Sequence, residues 1–84
     1  LTYLPHSVSF LQEVVNMITK DFGERVRKLR MDAKLSQEKF SLQIDMDRTY
    51  LASVESGKRN ISLENIQKIA NGLGITLEEL FREL

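Results

Sequence analysis

Residues 35–60, LSQEKFSLQIDMDRTYLASVESGKRN, constrain this chain most, because helix starts and stops follow one another there at short intervals. Ser36 precedes Gln37 and Glu38, so its hydroxyl can cap the open amides of a helix start. Phe40 and Ile44 are four apart and fall on one face of that helix. Asp45 is a poor helix former that tolerates turn conformations, so the first helix should stop near Gln43 or Ile44. Asp47 then caps a second helix beginning at Arg48, with Leu51 and Val54 as its buried stripe. Gly57, after Glu55 and Ser56, supplies a glycine stop. Two short helices around a tight turn, the second with a polar and cationic tip, suit the DNA major groove, which admits one α-helix.

The remaining segments read as further helices. Val8, Leu11, Val15, Ile18 and Phe22 recur at helical spacing, which predicts a helix to about Lys20, capped by Ser7 or Ser9, after an irregular Leu1–Pro5. That helix either packs on the domain as added core or contributes to a dimer interface. Asp21-Phe22-Gly23-Glu24 resembles a capping box and predicts a new helix to about Ala33, with Phe22, Val26 and Leu29 inward. Ser62 caps a helix with Leu63, Ile66, Ile69, Ala70 and Leu73 inward, ended by Gly72 and Gly74. Thr76-Leu77-Glu78-Glu79 opens a last helix carrying Leu77, Leu80, Phe81 and Leu84. No strand pattern, internal repeat or low-complexity tract stands against an all-α reading.

Charge locates the same region. The net charge is zero, which argues against a nonspecific polycation. Residues 20–59, however, hold ten Lys or Arg against seven Asp or Glu, while residues 60–84 hold two against four and residues 1–19 only Glu13. Positive charge thus gathers around the two-helix segment. The chain has no Cys, so it has neither disulfides nor thiolate metal sites. His6 stands alone, where a metal site needs three or four ligands, so no metal is expected. Met17, Met31 and Met46 read as core filler. No apolar run approaches the ~20 residues of a membrane span. Leu1–Phe10, with no Lys or Arg, does not resemble a signal peptide, so a cytoplasmic location is expected. No catalytic constellation can be assembled, and neither enzyme activity nor a cofactor is expected.

LSQE, then DRTYL, VESGKRNISLENI and LGITLEELF, along about sixty residues, resemble the helix-turn-helix of the Cro and lambda-repressor superfamily. Within it, DRTYLASVESGKRNIS is most similar to the controller proteins of restriction–modification systems. The chain departs from the family at Ser41, where Ala is usual, and at Asp45, where Gly is usual. Ser is nearly as small as Ala, and Asp enters the left-handed region more readily than a β-branched residue does.

The resemblance implies an all-α, five-helix repressor-type domain over residues 21–84, its motif at 36–56, preceded by one additional helix over residues 1–20. It implies a transcriptional regulator that binds double-stranded operator DNA as a homodimer on paired half-sites. Base reading is carried onto Arg48, Thr49, Tyr50 and Ser53. Arg48 offers a fork for guanine, and Thr49 a methyl or hydroxyl for thymine. Phosphate contacts fall to Gln37, Lys58, Arg59 and Asn60, with Arg25 as a further candidate. Arg30 and Glu55 are implied to form a structural salt bridge, which removes the repulsion of a carboxylate beside phosphate. Leu77, Leu80, Phe81 and Leu84 are implied to form the dimer interface. The competing class is a protein-interaction module, an antitoxin or phage-repressor-type protein whose extra helices bind a protein partner.

Overall fold

In the computed structural model, residues 6–84 are described, with side chains from residue 10 onward, and every regular element among them is a helix. The segment Leu1–Pro5, the His6 side chain and the contribution of Val8 lie outside the described residues. Five helices follow in order: α1 His6–Asp32, α2 Gln37–Gln43, α3 Arg48–Glu55, α4 Leu63–Leu73 and α5 Leu77–Leu80. The all-α expectation and the repressor-type arrangement hold.

Four helix starts lie where the capping residues place them. Ser36 accepts from the Lys39 amide at 3.0 Å, Asp47 from Tyr50 at 3.1 Å, Ser62 from Asn65 at 3.2 Å and Thr76 from Glu79 at 3.1 Å. Each satisfies one of the amides that a helix start leaves open. Between α2 and α3, Asp45 takes φ 53°, the left-handed region that a carboxylate side chain tolerates. The Asp45 amide bonds back to the Leu42 carbonyl, and the Met46 amide to Ser41 at 2.9 Å, which closes the turn.

One expected boundary is absent. The additional helix and the first helix of the domain are a single 27-residue α1, and Asp21–Glu24 lies inside it rather than capping a new start. Ser7 and Ser9 also lie within its helical span. Gly23 serves packing instead. A Cβ there would stand 2.3 Å from the Val54 carbonyl oxygen and 2.7 Å from that of Glu55, so a side chain would hold α1 off the end of α3. Gly72 likewise belongs to α4, where a Cβ would stand 2.2 Å from a methyl of Ile44; the stop is Gly74, at φ 70°.

The core joins Phe22 and Val26 of α1, Phe40 and Ile44 of α2, Met46 of the turn, Leu51 and Val54 of α3, Ile69 and Ala70 of α4, and Leu80 of α5. Several apolar expectations fail. Leu63 is exposed because it opens α4 on the solvent side, one turn before the buried stripe. Met17 and Met31 are exposed, so of the three methionines only Met46 fills core. Leu11, Val15 and Ile18 are exposed as well, so these three add nothing to the core of the domain. The last helix is only four residues long, and Leu84 lies beyond it.

A candidate nucleic-acid interface

The site begins with an ion pair behind the motif. Arg30 reaches it from the last turns of α1, where Gly23 has already brought that helix against α3. Its Nε donates to Glu55 Oε2 at 2.7 Å and its Nη2 to Oε1 at 2.9 Å, a two-pronged contact. Its Nη1 donates to the Leu35 carbonyl at 2.7 Å, immediately before the Ser36 cap. The Gln37 side-chain Nε2 donates to Glu55 Oε1 at 3.1 Å. The buried ion pair therefore ties the end of α3 both to the link into α2, through Arg30, and to the first residue of α2, through Glu55. The hydrogen bond to Glu55 raises the Arg30 pKa, against the opposing effect of burial. Among the described residues no buried side-chain nitrogen or oxygen lacks a partner.

The outer face is α3 and the loop after it. Arg48 and Thr49 are exposed at the start of α3. Arg48 makes no side-chain hydrogen bond or ion pair among the described residues, so its fork is open to an external acceptor. Tyr50 and Ser53 are half-buried and engaged with the chain. The Ser53 hydroxyl donates to the Tyr50 carbonyl at 2.6 Å and accepts from Arg59 Nε at 3.2 Å. The Arg59 guanidinium also lies 4.7 Å from the centre of the Tyr50 ring, a cation–π distance. Arg59 thus folds back over α3, while Lys58 and Asn60 project from the loop. Gly57 permits that loop: it takes φ 78°, and a Cβ would stand 2.7 Å from the Lys20 Cα.

Two assigned residues sit elsewhere. Arg25 donates to the Glu79 carbonyl at 2.8 Å and to that of Leu80 at 3.4 Å, closing the carbonyl end of α5. That use fits a basic group at a helix C-terminus and commits the guanidinium to the chain itself. Leu80 is fully buried in the chain's own core, so it has no surface to offer a dimer interface. Leu77, Phe81 and Leu84 remain partly exposed, and the Phe81 ring stacks on Phe22 at 5.3 Å. Sequence reasoning missed the stacking of Arg59 on Tyr50. Its signal was a Tyr in the first turn of α3 and an Arg two residues past the exit glycine.

A helix-turn-helix family model matches residues 26–80, which include the whole motif and both ends of the ion pair. The chain is 55% identical to control protein C.MunI of a Mycoplasma species over 71 residues, covering 83% of this chain and 96% of that protein. It belongs to the helix-turn-helix family, among the control proteins. It is also 41% identical to control protein C.BamHI of Bacillus amyloliquefaciens, covering 80% of this chain and 84% of that relative. The crystal structure of the restriction–modification controller protein C.AhdI from Aeromonas hydrophila aligns with a TM-score of 0.75 and 45% identity, over 77% of this chain and 98% of that one. Both Ser41 and Asp45 are accommodated within the family fold. Ser41 is buried, and its hydroxyl donates to the Glu38 carbonyl at 2.9 Å. Among the described residues no group of His, Asp and Glu is placed to hold a metal, and no helix is long and apolar enough to cross a membrane.

Proposed function

We propose that this chain is a sequence-specific DNA-binding transcriptional regulator of the restriction–modification controller type, acting as a homodimer on paired half-sites. The observation that carries the reading is the pairing of an open Arg48–Thr49 tip with a buried lock behind it. A base-reading side chain discriminates only if its helix is held in fixed register to the backbone. The Arg30–Glu55–Gln37 network joins the exit of α3 to the entry of α2, so the two helices can be positioned together.

In this account Arg48 reads guanine and Thr49 an adjacent base, with Tyr50 and Ser53 extending the contact surface. Gln37, Lys58, Arg59 and Asn60 meet phosphates. Arg25 takes no part. Residues 21–84 form the DNA-binding unit, and Leu77, Phe81 and Leu84 pair it with a second copy. A location in the cytoplasm, where operator DNA lies, and the absence of enzyme activity accompany this reading. The identity to control proteins supports it over an antitoxin or a phage repressor.

The test is Arg48→Ala, with binding measured to an operator and to scrambled duplex over a salt series. A lost bidentate contact costs about 1–3 kcal/mol per half-site and relaxes choice at one base pair. An unchanged ratio of the two affinities would remove Arg48 as the base reader.

A further inference from the structure

We infer that the N-terminal half of α1 is an arm of the homodimer interface, packing on a second copy of this chain and extending the seam made by α5. The inference rests on the homodimer reading and adds its second contact region.

The first argument is continuity. Leu11, Val15 and Ile18 follow one another at spacings of four and three and lead directly into buried Phe22. Phe22 stacks on Phe81, and a largely apolar groove lined by Ile18, Phe22, Ile61, Ile66 and Phe81, together with Thr19, Arg59 and Asn60, joins the arm to the α5 end. The exposed stripe of α1 and the exposed face of residues 77–84 are therefore one apolar surface, not two patches.

The second argument is area. Leu77, Phe81 and Leu84 are 41%, 42% and 49% exposed. At ~200 Å² for a large apolar side chain, they offer about 250 Å² per protomer, whereas a stable interface takes ~800 Å² per partner. Leu11, Val15 and Ile18, exposed by 60%, 40% and 58%, bring about 300 Å² more at the same ~200 Å² per side chain. The sum, about 550 Å², matches the apolar share of such an interface, about 520 Å² at ~65% of ~800 Å² in homodimers. The seam of α5 alone falls well short.

The third argument is charge. Between Phe10 and Lys20 the only ionisable residues are Glu13 and Lys20, neither in the stripe, and the nearest cations from another element, Lys58 and Arg59, flank it beside Val15 and Ile18. Two copies brought together by a two-fold axis place like surfaces in contact, so a stripe that itself carries no charge, with its flanking cations left at the rim, suits self-pairing.

Sedimentation equilibrium of the full chain and of a Leu11→Gln/Val15→Gln/Ile18→Gln variant tests the arm. Gln is a good helix former and the three positions are exposed, so helicity by circular dichroism should be unchanged. The expected result is a dimer for the parent chain and at least a tenfold larger dimer dissociation constant for the variant. A parent dimer matched by an equally tight variant would overturn the arm and leave the homodimer standing. A parent chain that stays monomeric at tens of micromolar, with and without operator duplex, would overturn both. Hydrogen exchange gives an independent reading: amides of residues 11–20 should be slower above the dimer dissociation constant than below it, and equal rates would also overturn the arm.

Discussion

Glu55→Ala isolates the lock. The Glu55 side chain is 2% exposed and that of Arg30 8%, so the pair is buried rather than on the surface. Removing the carboxylate leaves a buried guanidinium with one remaining acceptor, the Leu35 carbonyl, and leaves the Gln37 amide without its partner. Breaking a buried ion pair from one side costs about 3–5 kcal/mol. A domain of this length holds about 4–13 kcal/mol in total, so the variant should lose a large fraction of its stability. At about 4–8 °C per kcal/mol, the midpoint should fall by at least ~12 °C. Replacing both partners by apolar residues of similar volume, Arg30→Met with Glu55→Leu, removes the uncompensated charge and should recover most of that loss. It does not restore the hold on Gln37, so operator affinity should remain reduced while stability returns. The assay is thermal and urea unfolding followed by circular dichroism, at one fixed protein concentration because any self-association feeds into apparent stability. A single-variant cost below ~1 kcal/mol is the value for an exposed pair and would refute the reasoning.

Further outcomes follow from the packing. Gly23→Ala should destabilise by about 1–3 kcal/mol in urea unfolding, because overpacking against the Val54 and Glu55 carbonyls outweighs the ~1 kcal/mol gain in helix propensity. Leu80→Ala should cost about 2–5 kcal/mol in the same assay, as a truncation in the subunit core rather than at a seam. Arg59→Ala should weaken operator and scrambled duplex by similar factors and flatten the salt dependence, as loss of a phosphate contact does.

What was legible in the sequence was mostly local. Ser36, Asp47, Ser62 and Thr76 each act on an amide three residues away, so their helix starts could be read without knowing the rest of the fold. The Asp45 turn was legible for the same reason. Misreadings arose where a local signal served a distant contact. Asp21–Glu24 looks like a helix start, but Gly23 is there to admit the carbonyls of α3, thirty residues on, and α1 continues through it. Gly72 looks like a stop and instead makes room for Ile44. Leu80 and Phe81 are adjacent apolar residues, and spacing alone does not say that Leu80 turns inward while Phe81 stays partly exposed. In the candidate site, the exposed tip at Arg48 and Thr49 was readable from the motif. The use of Arg25 was not, because its partners are backbone carbonyls of α5 that only the fold brings near.

The central claim is that the start of α3 reads base edges in two copies related by a two-fold axis. Selection of bound sequences from random duplex DNA tests it most directly. The expected result is enrichment of an inverted repeat whose half-site centres lie about 10 base pairs, one helical turn, apart. Recovery of duplexes with no shared sequence, or of a single unpaired site, would contradict it.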